Sequence, residues 1–312
     1  MKAFYSDRFV LPLPQGHRFP MSKYAKLREQ VHASLPGLTL LEPTAATDEQ
    51  LALAHDRQYI ERVRHDALTA AELRAIGFSW STQMVERSLR SAGATIAACR
   101  AASIEGVAVN LAGGTHHAQR GKGAGYCVFN DAAIAARTVQ IEGRLKRVAV
   151  IDLDVHQGDG TAQICADDES IFTLSIHGES NFPFRKQHSD LDVGLPDGTR
   201  DDEYLRALDA ALAQLSQRFE PQLVIYLAGA DAHEGDRLGR LKLSSDGMRR
   251  RDQRVFEFAG RHDLPIAVAM AGGYGRDIDV TVSIHLQTVQ LAYAAWTKRT
   301  RVPSDEVVML RG

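Results

Sequence analysis

The chain of 312 residues is 44% hydrophobic and 24% charged, with a formal net charge of −2. This composition is typical of a globular protein, and so small a net charge argues against nucleic acid or an anionic membrane surface as the partner. Residues 1–16 lack the uninterrupted apolar stretch that is typical of a secretory signal, no apolar run reaches the length of a membrane span, and the three cysteines form no C-x-x-C pair. We therefore expect a cytoplasmic protein without disulfides or a cysteine zinc site.

In chain order, helical patterns alternate with short apolar runs that are rich in β-branched residues. Helices are predicted at 81–102, 130–143, 200–219 and 244–262. The apolar runs are Gly106–Gly114, Arg147–Val155, Ile171–Gly178, Leu223–Asp231 and Ile266–Tyr274. Continuous apolar runs are typical of strands buried on both faces of a parallel sheet. We therefore predict an α/β fold, a single three-layer domain over residues 1–312 with a central, mainly parallel sheet.

The predicted helix at 244–262 contains the densest basic run of the chain, RRRDQR at 249–254. Such a run on a helix is most simply interpreted as a solvated face, and it is only a weak indication of nucleic-acid binding. The glycine-rich GKGAG at 121–125 is a similarly weak indication of nucleotide binding, because it lacks the G-x-G-x-x-G spacing and follows a loop.

Polar residues or glycines close each of the five apolar runs. They are Thr115, His116 and His117 after the first, Asp152, Asp154 and His156 at the second, Ser175 and His177 in the third, Asp231 at the fourth, and Gly272, Gly273 and Tyr274 at the fifth. Open parallel sheets bind ligands at the carboxyl ends of their strands. The five strand ends are therefore predicted to converge on one site.

The alternating residues Asp152, Asp154 and His156 indicate a metal site. On a strand they would share one face, and a histidine with carboxylates suits a divalent cation of the zinc type. Asp231 is the best candidate for a third ligand, which gives a set of Asp154, His156 and Asp231 with positions left open for catalysis. Asp152 lies deeper in the strand, where it would orient a histidine or hold a monovalent cation.

The adjacent histidines follow two glycines in LAGGTHH, a context in which both imidazoles can line a cavity. Each needs a carboxylate to fix its tautomer, and Asp152 and Asp159 are available. We expect one of His116 and His117 to be a general base toward a water at the metal, and the other to give electrostatic support or act as a general acid.

Tyr274 ends the last run directly after Gly272 and Gly273. Because glycine has no side chain, this stretch lets a substrate approach the backbone closely. A phenol at the end of a strand can donate a hydrogen bond to an oxyanion. We therefore predict that the two glycines contact substrate and that the tyrosine takes part in catalysis, although a tyrosine that packs under a loop would give the same pattern.

Four segments that carry these residues resemble the motifs of the histone deacetylase family, within the arginase–deacetylase fold. GGTHHAQRGKGAGYCVFND resembles its double-histidine motif, VIDLDVHQGDGT its D-x-D-x-H motif, AGADAHEGDRLG its third-ligand motif and AGGYG its tyrosine motif. The four occur in the family's order, and the resemblance extends over nearly the whole chain. HQGDG and EGDRLG are most similar to the class IV branch and its bacterial relatives.

The resemblance implies a zinc-dependent deacetylase or deacylase, a hydrolase acting on linear amide bonds, with Fe²⁺ as an alternative to Zn²⁺ and with K⁺ or Na⁺ as a structural ion. It implies zinc ligands at Asp154, His156 and Asp231. It implies catalytic residues at His116, His117 and Tyr274, with Asp152 behind His116 and Asp159 behind His117. It also implies acyl-lysine tunnel walls at Gly125, Tyr126 and Phe182, and a monovalent-cation site at Asp152, Ser175 and His177. Arg18 matches an arginine near a product-release channel. We take His117 as the general base.

The expected substrate is an acylated lysine in a protein or peptide, with an acetylpolyamine or another acylated small-molecule amine as the alternative. An arginase-like ureohydrolase with two metal ions would need a second carboxylate two residues after His156, where Gly158 stands, so a single metal is favoured. A catalytically silent acyl-lysine-binding module is disfavoured because every catalytic residue type is retained. Neither the acyl chain length nor the oligomeric state follows from the sequence.

Overall fold

A computed structural model describes residues 1–301, and the end of the predicted domain, residues 302–312, lies outside the described residues. The strands are β1 (Lys2–Phe4), β2 (Thr39–Leu41), β3 (Val107–Asn110), β4 (Val148–Asp152), β5 (Ile171–Gly178), β6 (Leu191–Leu195), β7 (Leu223–Leu227) and β8 (Ile266–Ala269). The helices are α1 (Lys23–Ser34), α2 (Asp48–Leu51), α3 (Arg57–Arg64), α4 (Ala70–Ile76), α5 (Thr82–Glu105), α6 (Asp131–Ile141), α7 (Asp159–Cys165), α8 (Asp201–Arg218), α9 (Ser245–Arg261) and α10 (Ile278–Arg301). None of these helices combines the length and the apolar character needed to cross a membrane.

The strands form one sheet in the order β2-β1-β3-β8-β7-β4-β5-β6, and all neighbours pair in parallel. The strands expected from the sequence are β3, β4, β5, β7 and β8, which occupy consecutive positions in the sheet. The predicted α/β fold with a parallel sheet is confirmed. Because the carboxyl ends of parallel strands lie at one edge of the sheet, the loops after these strands come together there.

Strands β1, β2 and β6 have no counterpart among the predicted elements. β1 and β2 contain 3 residues each, too few for a hydrophobic period to be recognised. β6 lies at one edge of the sheet, and its residues alternate between half-buried and exposed along most of its length. A strand that is covered on one face only does not give a continuous apolar run.

Helices cover both faces of the sheet, which gives three layers. Along β4, Ala149 and Ile151 belong to a hydrophobic cluster with residues of α1, α8, α9 and α10, whereas Val148 and Val150 belong to a second cluster with residues of α5 and α6. Alternate residues of a strand point to opposite faces, so a doubly covered strand requires a continuous apolar run. Each fully buried aliphatic side chain contributes about 1.5–3 kcal/mol to this packing.

The basic run in α9 is not wholly a solvated face, so that expectation is wrong in part. Its first two arginines reach solvent, but Arg251 and Asp252 are buried, with exposed fractions of 0% and 1%. The helical period places them beside Met248 and Val255 on the stripe that packs against the sheet. Burial of the guanidinium is tolerated because Arg251 Nε donates to Asp252 Oδ1 at 2.8 Å.

Candidate active site

Asp154 and His156 lie in the loop after β4, because β4 ends at Asp152. The expectation that all three share one face of a continuous strand is therefore wrong. The loop nevertheless brings Asp154 and His156 together with Asp231, which follows β7. One potential ligand atom from each of the three lies within 4.8 Å of the others, and all three residues are buried. We call Asp154, His156 and Asp231 the ligand group.

Backbone amides from two loops hold the ligand group in place. Val155 N donates to Asp231 Oδ1 at 3.0 Å, and Gly272 N, in the loop after β8, donates to Asp154 Oδ2 at 2.7 Å. A Cβ at position 272 would overlap Asp231 Oδ2, so only glycine fits there. Gly272 also lines the cavity beside the ligand group.

The ligand group has the properties of a divalent-cation site. Asp231 Oδ2 is buried without a hydrogen bond, since His156 Nδ1, 3.3 Å away, lacks hydrogen-bond geometry. Burial and the negative charge of Asp154 raise the pKa of Asp231 to about 7. Two buried carboxylates this close repel each other unless a cation neutralises them. One imidazole with carboxylate oxygens is a donor set that fits an ion of the zinc type.

The two histidines in the loop after β3 each contact one carboxylate. His116 Nδ1 lies 2.6 Å from Asp152 Oδ2, and His117 Nδ1 lies 2.6 Å from Asp159 Oδ1. Both imidazoles are buried, line the same cavity, and have ring centroids 4.1 Å apart. A carboxylate that holds a proton on Nδ1 leaves Nε2 as the nitrogen that can exchange a proton with a ligand.

Their surroundings make the two histidines electrostatically different. Burial opposes protonation of His116, but Asp152 and Asp154 outweigh it and raise the pKa of His116 to about 9. Burial and the neighbouring His116 lower the pKa of His117 to about 4, against the opposing effect of Asp159. At neutral pH the pair therefore combines a neutral imidazole, His117, with one that retains its proton.

The start of α6 anchors the histidine loop. Asp131 accepts hydrogen bonds from Thr115 N and Thr115 Oγ1, both at 2.7 Å. Asn130 is the N-cap of α6, where its side chain accepts from Ala133 N, and its Nδ2 also donates to Ala118 O at 3.1 Å. The sequence indicated Asn130 and Asp131 only as the first two residues of the predicted helix at 130–143. Their additional contacts join the helix start to the loop that carries the histidines.

His55 supports the same loop from outside the motifs. Its Nε2 accepts a hydrogen bond from Asn130 N at 2.8 Å, and its Nδ1 donates to Gln119 O at 3.0 Å. A neutral imidazole satisfies both bonds, and burial lowers the pKa of His55 to about 4. No sequence pattern marks this residue, since both of its partners are backbone groups far along the chain.

Tyr274 lines the cavity beside the ligand group. Its amide donates to Asp236 Oδ2 at 2.6 Å, and Lys23 Nζ donates to Ala271 O and Gly273 O, each at 3.3 Å. Burial and the nearby carboxylates hold the pKa of the phenol well above its usual value, so the phenol remains a hydrogen-bond donor. Gly273 does not itself line the cavity and contributes its carbonyl to the loop. Asp236 and Lys23 were not singled out from the sequence.

The cavity that these residues share has a volume of about 430 Å³, and its walls include Gly125, Tyr126 and Phe182. Gly125 has a φ of +52°, and a Cβ there would lie 2.6 Å from His117 Cδ2, so glycine is required. The Phe182 ring stands edge-on to the His117 ring at a centroid distance of 4.9 Å. These walls form a largely apolar passage that leads to the histidine pair.

Arg18, which the resemblance matches to an arginine near a product-release channel, lies outside the cavity described above. It is exposed on the surface, where its carbonyl lies 3.4 Å from Arg237 Nη2, and it does not line the cavity. The buried arginine that lines the cavity is Arg87 of α5. Its Nη1 donates to the carbonyls of Ser6 and Phe9 at 3.1 and 3.0 Å.

The residues expected at a monovalent-cation site also lie together. Asp152 is in register with Ser175 of the neighbouring strand β5, and Ser175 Oγ lies 3.0 Å from His177 Nδ1. All three are buried. The Asp152 carboxylate contacts His116 through Oδ2 and accepts from Asp154 N through Oδ1 at 3.1 Å. It therefore links this group to the catalytic candidates, and the cation itself stays a prediction.

Three comparisons relate the chain to known proteins. A family model described as the histone deacetylase domain matches residues 17–289. An uncharacterized protein of Picosynechococcus sp. is 42% identical over 287 residues, which cover 90% of this chain and 94% of that protein. Histone deacetylase 2 of Arabidopsis thaliana is 34% identical over 279 residues, which cover 86% of this chain and 72% of that protein.

Among solved structures, an HDAC homolog from Aquifex aeolicus matches with a TM-score of 0.79 and 25% sequence identity, covering 94% of this chain and 83% of that chain. An HDAC homolog complexed with SAHA matches equally well, with a TM-score of 0.79. The fold and the site therefore define a hydrolase of the arginase–deacetylase fold. Within that class, the chain belongs to the histone deacetylase family.

Proposed function

We propose that this protein is a zinc-dependent amide hydrolase that removes an acetyl or other acyl group from an acylated lysine. The observation that carries the proposal is that Asp154 and His156, the histidine pair and Tyr274 all line one cavity, with a ligand atom of Asp231 within 4.8 Å of those of Asp154 and His156. Family membership and the likeness to an HDAC homolog complexed with SAHA support it. Bound by the ligand group, Zn²⁺ would supply Lewis acidity toward the scissile carbonyl and the attacking water.

His117 is the general base of the proposed reaction. Its lowered pKa of about 4 keeps it neutral at physiological pH. Asp159, 2.6 Å away, holds a proton on Nδ1, so Nε2 accepts the proton of the attacking water. His116 retains a proton beside Asp152, and its positive charge stabilises the negative charge that develops on the substrate. When the amide bond breaks, the leaving amine takes a proton from the histidine pair.

Tyr274 donates its phenolic O–H to the carbonyl oxygen as that oxygen becomes negative. The Tyr274 amide donates to Asp236 Oδ2 at 2.6 Å, and Lys23 Nζ donates to the carbonyl of Ala271 at 3.3 Å. Because these bonds fix the backbone around Tyr274, the phenol is in place before substrate binds. The passage formed by Tyr126 and Phe182 surrounds the alkyl chain of the substrate and limits the access of bulk water.

The charges along the cavity favour an acylated lysine over an acetylpolyamine. Apart from Asp154, His156 and the histidine pair, the charged side chains that line it are Arg74, Arg87 and Arg240. Among these, Arg240 is paired with Asp197 at 3.0 Å. A polyamine carries further positive charges that the guanidinium groups would repel, whereas the backbone around an acylated lysine is neutral.

A substrate screen on zinc-loaded protein tests the proposal. The panel contains lysine peptides with acyl groups from acetyl to long-chain, together with acetylspermidine and acetylputrescine. We expect turnover of one or more acyl-lysine peptides and much slower turnover of the acetylpolyamines. Faster turnover of an acetylpolyamine than of any acyl-lysine peptide would show that the substrate is a polyamine and not a lysine side chain. Binding of acetyl-lysine without turnover of any member would indicate a silent binding module. Repeating the screen with Fe²⁺ compares the two metals.

A further inference from the structure

A buried arginine of α9 contacts the backbone of both loops that carry the ligand group. Arg251 Nη1 donates to Gly229 O at 2.6 Å and to Leu153 O at 3.2 Å. Leu153 immediately precedes Asp154, and Gly229 lies two residues before Asp231. One guanidinium nitrogen therefore joins the loop after β4 to the loop after β7 at the point where each presents its carboxylate.

The two loops have little freedom to move apart or together at this point. A Cβ on Gly229 would lie 2.7 Å from Asp154 Cα. Leu153 N also donates to Leu227 O at 3.1 Å. The spacing between the Asp154 and Asp231 carboxylates is thus defined by direct contact on one side and by the Arg251 guanidinium on the other.

The guanidinium is itself held by a network inside the protein. Arg251 Nε donates to Asp252 Oδ1 at 2.8 Å, and Nη2 lies 2.7 Å from the same oxygen without hydrogen-bond geometry. Tyr226 of β7 donates to Asp252 Oδ1 at 2.5 Å, and Thr288 of α10 donates to Asp252 Oδ2. The ion pair therefore links α9 to β7 and α10 beneath the site.

The buried Arg251–Asp252 ion pair is not needed simply to fill space in the core. Apolar residues of similar volume often stabilise a protein as well as a buried ion pair does, because both charges must be desolvated. An arginine does provide several donors in a fixed plane, which an apolar side chain cannot. The contacts of Arg251 with two ligand-bearing loops give this arrangement a use beyond packing.

We propose that Arg251 is a positioning residue for the metal site. It sets the distance between the Asp154 and Asp231 loops, and through that distance it sets the affinity for the metal. The proposal rests on the proposed function, because it requires that the ligand group binds a divalent cation. Partners outside the immediate ligands typically change metal affinity by about 10–100-fold.

Zinc affinity measured by competition with a chromophoric chelator, on full-length protein first stripped of metal, tests the proposal. We expect Arg251→Met to raise the zinc Kd at least about tenfold and Arg251→Lys to give an intermediate value. Thermal unfolding of the metal-free proteins is measured alongside. Val139→Ala is the matched control, since Val139 is buried in α6 on the opposite face of the sheet. It should lower the Tm of the metal-free protein and leave the zinc Kd unchanged.

Wild-type zinc Kd values in both Arg251 variants would overturn the positioning role, whatever their Tm values. If Arg251→Met does not fold, the zinc Kd is measured instead in Arg251→Lys and Asp252→Asn and compared with that of the wild type. Wild-type protein that binds no zinc would overturn the metal site and this inference together. Wild-type protein that binds zinc but hydrolyses no acyl-lysine would overturn the proposed substrate, and the Kd comparison would still decide the role of Arg251.

Discussion

Gly272 N donates a hydrogen bond to Asp154 Oδ2 at 2.7 Å at a position where any side chain would overlap the Asp231 carboxylate. The loop after β8 therefore approaches both carboxylates of the ligand group through its backbone. Tyr274 stands two residues further along the same loop. A single backbone segment thus connects the proposed metal site to the proposed oxyanion donor.

Gly272→Ala should abolish high-affinity zinc binding, because the added methyl group would displace Asp231, Asp154 or both. The stoichiometry of bound zinc after dialysis against a weak chelator measures this loss. Gly260→Ala is the matched control, since a Cβ at that position in α9 meets nothing within 4 Å. It should retain zinc and gain up to about 1 kcal/mol of stability. Full zinc occupancy in Gly272→Ala would contradict the close approach.

His117→Ala should lower kcat on acetyl-lysine by about 10²–10⁴-fold, the usual contribution of a general base. Zinc stoichiometry should be unchanged, because His117 is not in the ligand group. Asp159→Asn should have a smaller effect, since the imidazole remains but its Nδ1 proton is held less firmly. Steady-state kinetics and metal analysis on the same preparations provide both readouts. A His117→Ala variant with wild-type kcat would exclude the assigned base.

Tyr274→Phe should lower kcat by about 10²–10³-fold with a smaller change in KM, as expected for a donor that acts mainly on the developing oxyanion. Tyr126→Phe is the matched control, because it also removes a phenolic hydroxyl, but from a different residue of the cavity wall. It should leave turnover of acetyl-lysine near the wild-type value. Equal losses in the two variants would argue for a general effect of cavity polarity instead.

The burial of His55 predicts a pH dependence of stability. Its pKa is lowered from 6.5 to about 4 in the folded protein. The unfolded chain therefore binds the proton first as the pH falls, and the free energy of unfolding decreases between pH 6.5 and about 4. The loss is on the order of 3 kcal/mol, since each pKa unit corresponds to about 1.4 kcal/mol.

Urea unfolding of metal-free protein across this pH range, compared between wild type and His55→Gln, isolates the contribution. The variant is expected to be less stable at pH 7, because the bonds to Asn130 N and Gln119 O are altered. The free energy of unfolding of the variant should also depend less steeply on pH, because the contribution of His55 is removed while the other titrating groups are common to both proteins. Identical slopes would show that His55 does not resist protonation in the folded state.

The central strands could be predicted from the sequence because each is covered on both faces, which demands a continuous apolar run. The convergence of polar strand ends followed from parallel pairing alone. The local path of the chain did not follow: β4 ends at Asp152, so Asp154 and His156 meet Asp231 through a bend rather than through strand alternation. Residue types indicate which chemistry a segment can support, but they do not indicate where a strand stops.

The residues that support the site loops could not be predicted from the sequence, for a different reason. Lys23, His55 and Asp236 all contact backbone groups of the site loops, and backbone groups carry no sequence signal. Arg251 was concealed by its exposed basic neighbours, since only the packing of α9 on the sheet distinguishes the buried member of that run. Side chains that act on distant backbone atoms become visible only when the fold is known.

Metal dependence measured on one preparation is the most decisive test of whether the ligand group holds a single catalytic zinc ion. The protein is stripped with a chelator, titrated with Zn²⁺, and assayed on an acetyl-lysine peptide at each point, with His156→Ala in parallel. We expect that stripping abolishes turnover, that activity returns in proportion to zinc and saturates at one ion per chain, and that His156→Ala recovers none. Turnover that survives complete removal of the metal, or that requires two ions per chain, would contradict this expectation.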